Sequence, residues 1–116
     1  MPGGIKQHEL ETAERAAALG HAVAFVPATG RGRTPDVKID GVRWELKSPS
    51  GSGKSTITDI LRSACGQGER VVLDLARTPL PIAEVNAQIS AFFERYTFVY
   101  EVWVFPRKDE PYRRSR

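Results

Sequence analysis

One cysteine, one methionine and two histidines limit the chemistry open to this 116-residue chain. Cys65 alone can form neither an internal disulfide nor a structural zinc site, which fits a reducing compartment. No apolar stretch approaches the roughly 18 residues that a membrane-spanning helix needs. The N-terminal MPGGIKQHELETAE lacks the apolar centre of a secretory signal. No long block of like charge, internal repeat or low-complexity linker interrupts the chain, so neither a disordered chain nor a repeat array is expected. What is present is a 41% hydrophobic complement, 27% charged residues and a net charge of +3. That is enough apolar material for one core at this length, with a mild lean toward anionic partners.

Local patterns give an α-β-β-β-α-β-α-β order. Ile5 to Leu19 has Leu10, Ala13 and Ala17 at helical spacing, with Gly20 as the C-terminal stop. HAVAFV (His21 to Val26) reads as a short strand, and ATGRGRTP (Ala28 to Pro35) as a loop. VKI and VRWEL flank Asp40-Gly41, a strong signal for a two-residue hairpin turn. After the turn-rich SPSGSGKS, the residues Ile57, Ile60, Leu61 and Ala64 mark one helix face. VVLDL (Val71 to Leu75) has the apolar run of a strand covered on both sides. Pro81 starts a third helix with Ile82, Val85, Ile89, Phe92, Phe93 and Tyr96 on its apolar stripe. FVYEVWVF (Phe98 to Phe105) is the last strand expected. Residues 1–105 therefore read as a single α/β domain with one mixed sheet flanked by helices. Residues 106–116 read as a charged, frayed tail.

The hairpin fixes a register. A two-residue loop pairs Ile39 with Val42, Val37 with Trp44 and Asp36 with Glu45. Strand alternation then sorts the side chains. Val37, Ile39, Val42, Trp44 and Leu46 share a core face, while Asp36, Lys38, Arg43, Glu45 and Lys47 share the other. Asp36 and Glu45 thus face each other with Cβ atoms about 5 Å apart, and Lys47 lies two residues along. Two facing carboxylates repel unless a cation holds them ionised. Mg²⁺ or Mn²⁺ suits such oxygen ligands, and a nearby lysine suits developing phosphoryl charge. The plainer alternative is a solvated hairpin face of mixed charge.

Pro35-Asp36 followed by Glu45-Leu46-Lys47 spells PD-x8-ExK, which resembles the PD-(D/E)xK nuclease superfamily. That resemblance implies a restriction-endonuclease-like αβββαβ core, here with an extra C-terminal helix and strand. Glu11-Thr12-Ala13 through Leu19-Gly20-His21-Ala22-Val23, PDVKIDG and GQGERVVLDL also resemble the C-terminal tRNA nuclease domain of contact-dependent growth inhibition toxins. Roughly residues 9 to 76 carry this likeness. It implies a metal-dependent endoribonuclease acting on tRNA or other structured RNA, in the cytoplasm of host or target cell. Asp36 and Glu45 match the metal ligands and Lys47 the catalytic lysine. Glu11 best matches the acidic residue of the first helix, with Glu9 and Glu14 as rivals. The resemblance also raises an immunity protein as a partner, with the toxin domain itself monomeric. Such domains normally end a very large secreted protein, whereas this chain starts at Met1 with no delivery module. An excised domain, a standalone relative and a mobile-element protein all stay open.

Two alternatives within reach are a DNA endonuclease of the same fold and a non-catalytic nucleic-acid-binding module. Arg31, Arg33, Arg43, Lys54 and Arg62 are candidates for a phosphate-tracking surface. Gly51 to Thr56 invites a P-loop reading, but the pattern requires glycine where Ser48 stands. A basic loop at a helix start, with free amides and Lys54 on a backbone phosphate, is the more economical expectation; a plain cap from Ser52 or Ser55 is its alternative. His21 reads as a structural edge residue, and His8 as solvated or touching substrate. Trp44, Trp103, Phe92 and Phe93 belong to core faces rather than to base-stacking platforms.

Overall fold

A computed structural model describes residues 6–26, 36–64 and 70–116 of the chain. Its elements are α1 (Gln7–Ala18), β1 (Val23–Val26), β2 (Asp36–Ile39), β3 (Val42–Lys47), α2 (Thr56–Arg62), β4 (Arg70–Asp74), α3 (Ile82–Arg95), β5 (Glu101–Phe105) and β6 (Tyr112–Ser115). The strands form one sheet in chain order, β1-β2-β3-β4-β5-β6. The β1–β2, β2–β3 and β5–β6 pairs are antiparallel, and β3–β4 and β4–β5 are parallel. Each parallel pair needs a crossover, and α2 and α3 supply them.

Alternation divides the core into two layers. Val71, Leu73, Val102 and Val104 pack with Ile57 and Leu61 of α2 and Val85, Ile89 and Phe92 of α3. Val37, Ile39, Trp44, Leu46, Val72, Trp103 and Phe105 pack on the opposite side with Ala16 of α1. β4 is therefore covered on both faces, as its near-continuous apolar run requires. Gly20 ends α1 with φ +96°, and its amide bonds the Ala17 carbonyl at 3.0 Å.

The tail corrects an expectation. Residues 112–115 are not frayed but form β6, antiparallel to β5. Tyr112 donates its hydroxyl to Asn86 Oδ1 at 2.6 Å, and Arg114 Nη2 donates to Ser90 Oγ at 2.8 Å. On the other face Arg113 lies 4.2 Å from the Trp103 ring centroid. A hydropathy pattern scores these arginines as solvent-seeking. Their stems nevertheless cover aromatic surface while the guanidinium binds the ring face.

The Asp40-Gly41 turn forms as expected, with φ +54° at Asp40 and +82° at Gly41. Asp40 Oδ2 accepts from His21 Nδ1 at 2.7 Å and Oδ1 from the Ala22 amide at 2.9 Å, tying the start of β1 to the hairpin. The His21 and Ala22 hydrogen bonds hold the Asp40 carboxyl below its ordinary pKa. A carboxylate lowered in this way contributes stability above its unfolded pKa, near 3.9, and loses it as pH falls through the folded value. Asp40→Asn should therefore melt below wild type at pH 6, with the gap closing toward pH 3. A gap that stays constant with pH would show that the charge adds nothing.

Candidate functional site

The observed hairpin register pairs Asp36 with Glu45, Val37 with Trp44, Lys38 with Arg43 and Ile39 with Val42, as the turn dictates. Glu45 also pairs with Val71 and Lys47 with Leu73 of β4. Glu45 and Lys47 therefore belong to the α2–α3 side of the sheet, and Asp36 is the register partner of Glu45. They sit at one edge, where β2 begins and the parallel strands β3 and β4 end. Open sheets bind ligands preferentially at that carboxyl edge.

Burial separates this array from an ordinary charged hairpin face. Lys38 and Arg43, nearer the turn, are exposed, whereas Glu45 is only 2% exposed. Lys47 Nζ lies 3.2 Å from Glu45 Oε1. A carboxylate taken this far from water is costly unless a cation compensates it, and Lys47 supplies one. Among the described residues no group of three or more His, Cys, Asp or Glu side chains converges as a metal cage. In the backbone register Asp36 stands opposite Glu45.

On the first helix the three candidate acids occupy different positions. The buried residues of α1 are Glu9, Thr12, Ala13 and Ala16, a stripe one residue out of phase with Leu10, Ala13 and Ala17. Glu11 sits about 200° around the helix from Glu9 and is exposed, with Gln7 Nε2 at 3.4 Å from its carboxylate. Glu14 is exposed as well. Glu9 is the buried acid, its Oε1 accepting the Lys6 amide at 2.8 Å. Thr12 donates to Asp74 Oδ2, and its oxygen also lies 2.9 Å from the His8 carbonyl. The sequence signal for this pair was a single aspartate interrupting VVLDL and a threonine on an alanine-rich helix.

The candidate basic residues that the structure describes belong to different elements. Arg31 and Arg33 lie outside the described residues. Arg43 flanks Glu45 toward the turn, and Lys54 is exposed in the loop before α2. Arg62 lies at the far end of α2, 5.8 Å from the Tyr96 ring centroid. The start of α2 is not an open anion cradle. Gln88 of α3 accepts the Ile57 amide at 2.8 Å and donates to the Gly53 carbonyl at 3.1 Å, while Thr56 Oγ accepts the Gly53 amide at 2.9 Å. Neither Ser52 nor Ser55 makes the cap; a glutamine in the apolar stripe of α3 does. Beside the site, Arg77 Nη1 lies 3.3 Å from His8 Nε2 and 3.4 Å from the Ser48 carbonyl. No sequence pattern pointed to Arg77.

The structure resembles a solved CdiA-CT/CdiI toxin and immunity complex from Burkholderia pseudomallei. The TM-score is 0.71 at 18% identity, covering 100% of this chain and 93% of that one. The likeness is one of fold. No curated relative matches the sequence, and no helix among the described residues is long and apolar enough to cross a membrane. The family described as Contact-dependent growth inhibition CdiA C-terminal domain matches residues 33–108, from just before the Asp36–Glu45 hairpin to beyond β5. The chain therefore belongs to the CdiA C-terminal domain family and is a toxin domain of contact-dependent growth inhibition.

Proposed function

We propose that this toxin domain is a metal-dependent endonuclease of PD-(D/E)xK type that cleaves RNA, with tRNA as its substrate class. The observation that carries the proposal is the pairing of Asp36 with Glu45 across the hairpin, with Lys47 Nζ 3.2 Å from the buried Glu45 carboxylate. The choice of tRNA rests on the resemblance of PDVKIDG and GQGERVVLDL to tRNA nuclease domains. Both proposed ligands supply hard carboxylate oxygens, a donor set that suits Mg²⁺ or Mn²⁺ with water and phosphate completing the shell. When bound, such an ion supplies Lewis-acid polarisation of a phosphoryl oxygen and acidifies a water.

The remaining work falls to the chain itself. Asp36 and Glu45 hold negative charge at the sheet edge, so that a cation and not bare substrate phosphate is favoured between them. Lys47, oriented by Glu45, keeps its ammonium where negative charge grows on the phosphate in the transition state. Attack by water on phosphorus breaks the P–O bond to one sugar, and the departing oxygen takes up a proton. Since the solved complex named above pairs a toxin with CdiI, an immunity protein that neutralises this chain is part of the proposal.

Incubating purified protein with total tRNA, plasmid DNA and single-stranded DNA, with Mg²⁺ or with EDTA, tests it. Discrete tRNA fragments that need the metal are the expected result. Metal-dependent cleavage of plasmid alone would make the chain a DNA endonuclease of the same fold. Binding without cleavage under every condition would leave a nucleic-acid-binding module.

A further inference from the structure

We propose that Arg77 is a phosphate-binding residue of the nucleic-acid site and that His8 is its positioning residue. The inference rests on the nuclease reading, which it extends to substrate grip. Arg77 follows the carboxyl end of β4, and Ser48 follows Lys47 at the carboxyl end of β3, two strands that are hydrogen-bonded neighbours. One guanidinium nitrogen bridges these ends and α1, at 3.4 Å from the Ser48 carbonyl and 3.3 Å from His8 Nε2. The guanidinium is thereby held beside the backbone that carries Lys47.

Three features make this arrangement a grip rather than a structural tie. Arg77 is exposed, and among the described residues its hydrogen bonds are made through Nη1, leaving Nε and Nη2 as donors of the planar fork that matches a phosphate. Among the described residues no carboxylate lies within ion-pair distance of it, so none of them neutralises its charge. His8 lies in the first turn of α1, where the helix dipole favours anions. Lys6 is exposed at the same helix end, and the nearby Glu9 carboxylate is turned to the Lys6 amide. Because a guanidinium only donates, the contact requires His8 Nε2 as acceptor, with the ring proton on Nδ1. A neutral His8 thus holds Arg77 without competing for the anion.

The test reads binding separately from cleavage. Fluorescence anisotropy with labelled tRNA in EDTA gives Kd and its salt dependence for wild type, Arg77→Ala, Arg77→Lys, His8→Ala and His8→Gln. Arg77→Ala should weaken binding about tenfold and lower the salt slope by nearly one counterion, with an unchanged Tm. Arg77→Lys should keep the slope but recover only part of the affinity, since the point charge lacks the fork. His8→Ala should weaken binding a few-fold, and His8→Gln, whose amide oxygen can accept the same N–H, should restore it. Wild-type affinity and slope in Arg77→Ala would overturn the proposal even if the wild-type protein cleaves tRNA. Absence of tRNA binding by the wild-type protein would overturn it too. Salt-sensitive binding lost in Arg77→Ala, without any cleavage by wild type, would uphold Arg77 and remove the nuclease reading instead.

Discussion

Asp36→Ala is expected to abolish tRNA cleavage while leaving the fold intact. In the proposed mechanism a cation held by the hairpin carboxylates would contribute several kcal/mol of transition-state stabilisation, so its loss would correspond to a rate reduction of about 10³-fold or more. Stability should hold or rise slightly. The core side of β2 consists of Val37 and Ile39, both buried and both untouched by the change. The register places Asp36 opposite Glu45, and like charges at facing positions repel, so truncation is not expected to destabilise the pair. Parallel cleavage assays and thermal melts separate the two effects, and EDTA should reproduce the mutant's loss in the wild-type protein. Full activity in Asp36→Ala, or in EDTA, would remove the two-carboxylate mechanism and leave Lys47 without a metal-based role.

That expectation rests on the part of the chain most legible in its sequence. A two-residue turn at Asp40-Gly41 and the period-two alternation of a strand leave no freedom in the hairpin, so every partner from Asp36 to Glu45 follows. The interior strand around Val72 and the helix stripe through Val85, Ile89 and Phe92 were equally readable, because burial there is apolar. Legibility failed where polar groups are buried. Glu9 and Thr12 occupy the inner face of α1 because Lys6 and Asp74 satisfy them. An apolar count therefore sets the helix one residue out of phase and does not single out Glu9. β6 was hidden for the converse reason, since its arginines pack on rings and bond α3 rather than seek water. Gln88 caps α2 from 31 residues away, a partnership that no local motif encodes.

Lys47→Ala should lower kcat by two or more orders of magnitude, because the ammonium acts mainly on charge that develops in the transition state. The same change has a structural consequence that must be separated from it. Lys47 Nζ lies 3.2 Å from Glu45, whose side chain is 1% exposed, so its removal takes a compensating cation away from a buried carboxylate. Breaking a fully buried pair costs about 3–5 kcal/mol; with the Lys47 side chain 12% exposed, water at the sheet edge should reduce this to about 1–3 kcal/mol. Lys38→Ala, at an exposed position nearer the turn, should alter neither quantity appreciably. The two roles of Lys47 part in the double variant Glu45→Gln/Lys47→Met. It removes the charge imbalance and refills the volume, so its Tm should recover toward wild type while cleavage stays lost. Recovery of both would make Lys47 a structural counter-ion only. Equal losses of rate from Lys38→Ala and Lys47→Ala would instead make the whole polar face a diffuse phosphate grip, with no special place for the lysine beside Glu45.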